Sequence, residues 1–267
     1  MTSARPIGDH LRAWRQRRRM SQLDLASDAD ISTRHLSFVE SGRAQPSREM
    51  VLHLAERLEV PLRDRNILLV SAGFAPVFPE RELADPALQS ARAAVALVLA
   101  GHEPYPALAI DRHWQLIEAN TAVQRLLTDT APRLLSPPIN VLRLSLHPDG
   151  LAPRIVNLAQ WRQHLLERLR RQVDISADPM LADLLEELRN YPAPAPSGRR
   201  PRNGSDADLG GVVVPFSLLV DGVVLSFFST TTVFGTPLDV TLSELAIEAF
   251  FPADPATAEA LRGLASS

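Results

Sequence analysis

Residues 21 to 43 read SQLDLASDADISTRHLSFVESGR. Two short helical phrases flank Ala29, Asp30 and Ile31, and the stretch closes on Gly42 and Arg43. Ser21 has the chemistry of an N-cap, and Asp24, three positions on, is placed to reach back as a capping-box partner. Leu23, Leu25 and Ala26 carry the first phrase to about Asp28. Ser32 repeats the cap signal, Leu36 and Val39 give the second phrase a buried face, and Gly42 stops it.

The same logic extends outward. Ile7, Leu11 and Trp14 are spaced four and three apart, one stripe of an amphipathic helix over residues 7–18. Beyond Pro46 and Ser47, the residues Met50, Val51, Leu54, Ala55 and Leu58 mark a fourth helix. Pro61 suits the first turn of a fifth that runs to Gly73. Five short helices in about 67 residues predict a compact all-α domain over residues 1–73.

These residues resemble the Xre-type, phage-repressor-like helix-turn-helix family over residues 7–73. The pattern lies in Gln22 opening the first short helix, small Ala26 near its end, Ile31 after the turn, and Leu36 with Val39 anchoring the second helix. The trailing ESGRAQPS matches the family's ending as well. The departure is Asp30, where the family usually has Gly. The turn calls for a left-handed backbone, which Asp and Asn tolerate better than other residues bearing a side chain.

The resemblance implies a lambda-repressor-like domain whose second short helix enters the DNA major groove. Thr33, Arg34 and Ser37 are then expected at base edges, with His35 and Phe38 at the flanks. Arg34 is the candidate for a bidentate contact to guanine. Gln22 and Arg43 are expected at phosphates, and Ser32, at the helix start, completes the DNA-binding set. One such module reads only a few base pairs, so specificity predicts a homodimer on a two-fold duplex site. Arg15, Arg17, Arg18 and Arg19 form a charge cluster that reads as a solvated face or as part of the electrostatic footprint.

The charge balance divides the chain. The first 73 residues hold 12 Arg against 9 acids (+3), and the remainder holds 16 against 22 (−6), within a net charge of −3 for all 267 residues. No Cys is present, which excludes disulfides, thiolate catalysis and Cys-ligated zinc. No signal peptide and no apolar run of membrane-spanning length is seen, so the expectation is a cytoplasmic protein without a membrane partner.

FAPVFPERELAD, residues 74–85, reads as a linker, and residues 86–267 as a second, α+β domain. A helix over residues 86–101 leads into PALAIDRHWQLIEAN, read as two strands turning at Asp111-Arg112 and a helix over residues 120–127. Helices follow around residues 158–171 and 179–188. Val-, Phe- and Thr-rich strands then flank Asp221-Gly222, a hairpin turn signal. Residues 191–211 are rich in Pro, Gly, Ser and charge, with Arg199, Arg200 and Arg202, and read as a mobile loop.

ALAIDRHWQLIEAN, NVLRLSLHPDG and FFSTTTVFGTPLDVTLSELAIEAFFPAD resemble the ligand-binding domain of MmyB-like transcription regulators, which has a PAS-like fold. This resemblance implies a sensor whose apolar cavity takes a small, fatty-acid-like molecule. Asn120, Arg143, His147 and Trp161 are the candidate polar anchors, and Phe216, Phe227 and Phe228 the candidate apolar wall.

An enzyme is the competing class. No Gly-x-Ser-x-Gly elbow, phosphate-cradling Gly loop or His-Glu-x-x-His helix occurs, so no catalytic residue, cofactor or metal is expected. His35 with Glu40 and His113 with Glu118 are five apart, a spacing that puts each pair on different faces of a helix or strand. A further alternative keeps DNA binding but makes the second domain a protein-interaction platform without ligand.

Overall fold

The computed structural model describes residues 5–192, 214–235 and 239–265. The chain forms two compact units, residues 1–85 with 236–243, and residues 86–235 with 244–267. Labels below run in chain order.

The first unit holds α1 (Ile7–Arg17), α2 (Gln22–Asp28), α3 (Thr33–Glu40), α4 (Arg48–Arg57) and α5 (Leu62–Ser71). Local chemistry sets their ends. Ser21 accepts from the Asp24 backbone N–H while Asp24 accepts from that of Ser21, a complete capping box. Ser32 and Ser47 cap α3 and α4 by accepting from the N–H groups of His35 and Met50. The bend between α2 and α3 is made by Asp30 at φ +50°, the left-handed backbone expected there. Beneath the helices Leu11, Leu25, Leu36, Val39, Leu54, Leu58, Leu68 and Leu69 are all fully buried. Gly8 lets α1 approach α3, since a Cβ there would lie 2.5 Å from the Glu40 carbonyl oxygen.

The stretch 74–85, expected as a linker, is held along α5. Asn66 accepts from the N–H groups of Val77 and Phe78 and donates to the Phe78 carbonyl. The short α11 (Val240–Ser243) also packs in this unit, against α5.

The second unit holds α6 (Gln89–Gly101), β1 (Ala107–Ile110), β2 (Leu116–Ala119), α7 (Thr121–Leu126), α8 (Val141–Leu146), α9 (Leu158–Ser176), α10 (Pro179–Arg189), β3 (Phe216–Val220), β4 (Val223–Val233), β5 (Ala246–Pro252) and α12 (Pro255–Ala265). Both sequence-predicted turns are present. Asp111 accepts from the N–H groups of His113 and Gln115, and Asp221 and Gly222 close the β3–β4 hairpin at φ +48° and +80°.

The sheet is antiparallel throughout, in the order β2-β1-β5-β4-β3, a PAS-like arrangement. Its central strand, β5, was not among the strands read from the sequence. It comes from the C-terminal end of the chain and inserts between β1 and β4. On α9 the residues Trp161, Leu165 and Leu169 repeat every four positions, so one face of the helix packs on Phe216, Leu218 and Phe227 of the sheet. Each such burial contributes roughly 1.5–3 kcal/mol. The loop expected over residues 191–211, with its Arg cluster, lies outside the described residues apart from Tyr191 and Pro192.

Candidate DNA-contacting face and ligand cavity

On α3, Leu36 and Val39 point inward with no exposed surface, which turns the opposite face to solvent. There Arg34 is exposed, and Thr33, His35, Ser37 and Phe38 are half-buried. The Arg34 guanidinium lies 5.3 Å from the centre of the Phe38 ring, a cation–π contact that lays the side chain along the helix surface. Ser32 acts as the cap, and Arg43, just past the Gly42 turn at φ +73°, is exposed.

Gln22 is placed differently from a purely phosphate-facing residue. Its amide donates to a Glu40 carboxylate oxygen at 2.8 Å. Glu40, at the end of α3, is 2% exposed and receives Arg15 Nε at 2.7 Å and Arg15 Nη2 at 2.9 Å, while Arg12 donates to its backbone carbonyl. One carboxylate thereby ties α1 and α2 to the end of α3. Burial by itself would raise the Glu40 carboxyl, but the hydrogen bonds from Arg15 and Gln22 and the charges of Arg15 and Arg12 outweigh it and hold it below the usual range.

Arg15, Arg17 and Arg18 of the basic run at the end of α1 are engaged in structural contacts, while Arg19 is exposed. Arg15 is in the buried pair, Arg17 and Arg18 lie 4.8 and 5.7 Å from the Trp14 ring centre, and Arg18 also donates to the carbonyls of Leu58 and Glu59.

In the second unit a cavity of about 100 Å³ opens between α9 and the sheet. Trp114, Trp161, Leu165, Phe216, Phe227 and Phe250 contribute apolar wall. The Trp161 and Phe216 rings lie 4.9 Å apart, and the Trp161 indole N–H donates to Ser145 Oγ at 3.0 Å, so its polar edge is satisfied. Beside Trp161, His164 stacks at 5.5 Å. Burial first, and then the nearby Arg168 and Arg171 charges, lower its pKa.

The polar wall is Arg168, Glu248, Ser145 and Ser229. Glu248 is 4% exposed, and Arg168 donates to both of its carboxylate oxygens. Thr231 Oγ1 bridges the pair, accepting from Arg168 and donating to Glu248, each at 2.9 Å. The Arg168 guanidinium also lies 4.6 Å from the Trp114 ring centre.

Of the ligand-contact residues expected from sequence, Trp161, Phe216 and Phe227 line this cavity, while Asn120, Arg143, His147 and Phe228 do not. Asn120 is consumed by backbone: its oxygen accepts from the N–H groups of Ala107 and Val123, and its nitrogen donates to the carbonyls of Leu99 and Tyr105. Arg143 is in a two-pronged pair with Glu187, which Tyr191 also contacts. Burial and the bond to Glu187 push the Tyr191 hydroxyl pKa up. His147 Nδ1 accepts from the Asp149 backbone, and the ring packs on Tyr191 at 5.1 Å. Phe228 follows Phe227 on β4 and so faces the other side of the sheet, where it stacks on Phe251 at 5.3 Å.

The sequence reading had not singled out Arg168 and Glu248. They stand 80 residues apart and meet only because α9 crosses β5. The alternation Phe227, Ser229, Thr231 along β4 was the available signal for which side chains share the inner face.

A family model described as a helix-turn-helix domain matches residues 6–68, and one described as the MmyB-like transcription regulator ligand binding domain matches residues 91–264. No curated protein matches the chain.

Proposed function

Because the chain belongs to the family of MmyB-like transcription regulators, we propose that it is a cytoplasmic, homodimeric repressor or activator that reads a two-fold operator through α3 and changes that binding when a small apolar molecule occupies its second unit. The observation that carries the DNA half is the division of α3 into a fully buried face, Leu36 and Val39, and an outward face bearing Arg34. Thr33, Arg34 and Ser37 meet base edges, with His35 and Phe38 beside them. Arg43 and the helix start at Ser32 meet phosphate. Gln22 uses one amide hydrogen to hold Glu40 and offers the other to phosphate.

The ligand half rests on the aromatic cavity beneath α9. The hydrocarbon tail of a fatty-acid-like molecule suits such walls, and the polar wall decides which head group accompanies it. At about 100 Å³ the space is smaller than the cavity of about 150 Å³ that takes benzene, so it suits a slender short chain rather than a ring. Occupancy alters DNA affinity only to the extent that the ligand binds the DNA-competent and incompetent arrangements unequally.

The test begins with an operator selected from a random duplex pool. Fluorescence anisotropy then compares it with unrelated DNA for the wild type and Arg34→Ala. The variant should lose about tenfold or more of its preference, the value of a bidentate base contact, while weak salt-sensitive binding persists. Equal loss on every duplex would assign Arg34 to phosphate and remove the base-reading role. Native mass spectrometry of the freshly purified protein reports subunit count and any co-purified small molecule together.

A further inference from the structure

We infer that the ligand of this cavity carries an uncharged hydrogen-bonding head, a hydroxyl or a comparable neutral group, received at the Arg168–Glu248 pair, and that carboxylates and ammonium ions are disfavoured there. The inference rests on the ligand-sensing reading above and specifies the chemistry that the site accepts.

The cavity wall is apolar except where Arg168, Glu248 and the two serines reach it. An arginine at the rim of an apolar pocket ordinarily suggests an anionic ligand. Here the guanidinium is already matched: Glu248 takes both Nη1, at 3.2 Å, and Nη2, and Thr231 Oγ1 closes the ring between them. The patch is therefore neutral as a whole, with the positive and negative groups side by side.

A ligand carboxylate would have to draw Arg168 away from Glu248 and leave a carboxylate that is 4% exposed without its counter-ion, or else sit beside it as a like charge. A ligand ammonium would compete with Arg168 for Glu248 in the same way. A hydroxyl needs neither exchange: it donates to a spare lone pair of Glu248 or to Ser229 Oγ and accepts from an Arg168 N–H or a serine hydroxyl of the same wall. Buried polar walls discriminate strongly between ligands that complete their hydrogen bonds and ligands that force a pair apart. Trp114, whose face carries the Arg168 guanidinium and whose indole N–H is held by Gln172 at 2.7 Å, keeps the arginine in this position.

The experiment uses full-length protein freed of co-purified small molecules and three probes of one size: pentan-1-ol, pentanoate and pentylamine at pH 7.5, with Kd read by ligand-observed NMR. The alcohol should bind at least about tenfold more tightly than either ion. E248Q leaves the Arg168 charge uncompensated, and with it pentanoate should gain about tenfold over its wild-type Kd and overtake the alcohol. Pentanoate binding the wild type as well as the alcohol, or gaining nothing in E248Q, overturns the head-group assignment and leaves the sensor reading intact. No binding by any of the three overturns this inference, and the native mass spectrometry of the purified protein then decides the sensor reading separately. Should E248Q fail to fold, the wild-type ranking alone decides.

Discussion

The Arg15 guanidinium on α1 and the Glu40 carboxylate at the end of α3 meet through two hydrogen bonds of 2.7 and 2.9 Å, with the carboxylate side chain wholly buried. This pair fixes the far end of the proposed recognition helix from inside the unit. Breaking a buried pair by removing one partner leaves the other charge uncompensated and costs about 3 kcal/mol or more. Glu40→Ala should therefore lower the stability of the first unit by about that amount and loosen α3, read by chemical denaturation and by hydrogen exchange at Leu36 and Val39. A loss below about 1 kcal/mol would show that Arg15 finds solvent when its partner is gone.

The same pair sets a pH dependence. With the Glu40 carboxyl held below its ordinary value of 4.5, the folded state binds fewer protons than the unfolded chain in that range. Its contribution is present in full above about pH 4.5 and fades as the pH falls through the lowered folded value. Urea unfolding at pH 7, 5 and 4 should show a decline that is shallower in Glu40→Gln, which has no carboxyl to titrate at this position.

Asp30 holds its left-handed φ of +50° at the bend before α3. Glycine reaches that region without the Cβ penalty of about 1–2 kcal/mol, offset in part by its greater freedom in the unfolded chain. Asp30→Gly should raise stability by about 0.5 kcal/mol, and Asp30→Val should lower it by at least about 1 kcal/mol, since a β-branched residue tolerates the region least. Thermal unfolding of the two variants checks the order.

Phe227 and Phe228 are neighbours in sequence and face opposite sides of β4. Phe227→Leu should change the affinity for pentan-1-ol several-fold, because it reshapes the cavity wall. Phe228→Leu should leave that affinity within about twofold while reducing stability by about 1 kcal/mol through the lost stack on Phe251. Equal effects of both variants on ligand affinity would contradict the placement of the cavity.

The helices of the first unit were legible because their signals act within a few residues: the Ser21–Asp24 box, the caps at Ser32 and Ser47, and the left-handed turn at Asp30. The same was true of the Asp221-Gly222 hairpin. What the sequence hid depends on distant pairing. Strand β5 takes its place by pairing with β1, far back in the chain, as well as with β4, from which α11 separates it. Arg168 sits in the run RLRR and reads as one more solvated arginine until α9 brings it to Glu248. Asn120 had the chemistry of a ligand anchor and of a helix cap alike, and four backbone partners commit it to the second.

Neither unit is a single uninterrupted length of polypeptide. Between β4 and β5, α11 contributes Val240, fully buried, whose N–H donates to the Pro79 carbonyl, while Asp239 pairs with Arg81 at 2.7 Å and Thr241 donates to the Arg81 carbonyl. An excised fragment ending at residue 85 would arrive without these partners, leaving the tail after α5 bare. A single proteolytic nick in residues 74–85 would likewise not free the amino-terminal piece cleanly, because part of its packing is encoded more than 150 residues downstream.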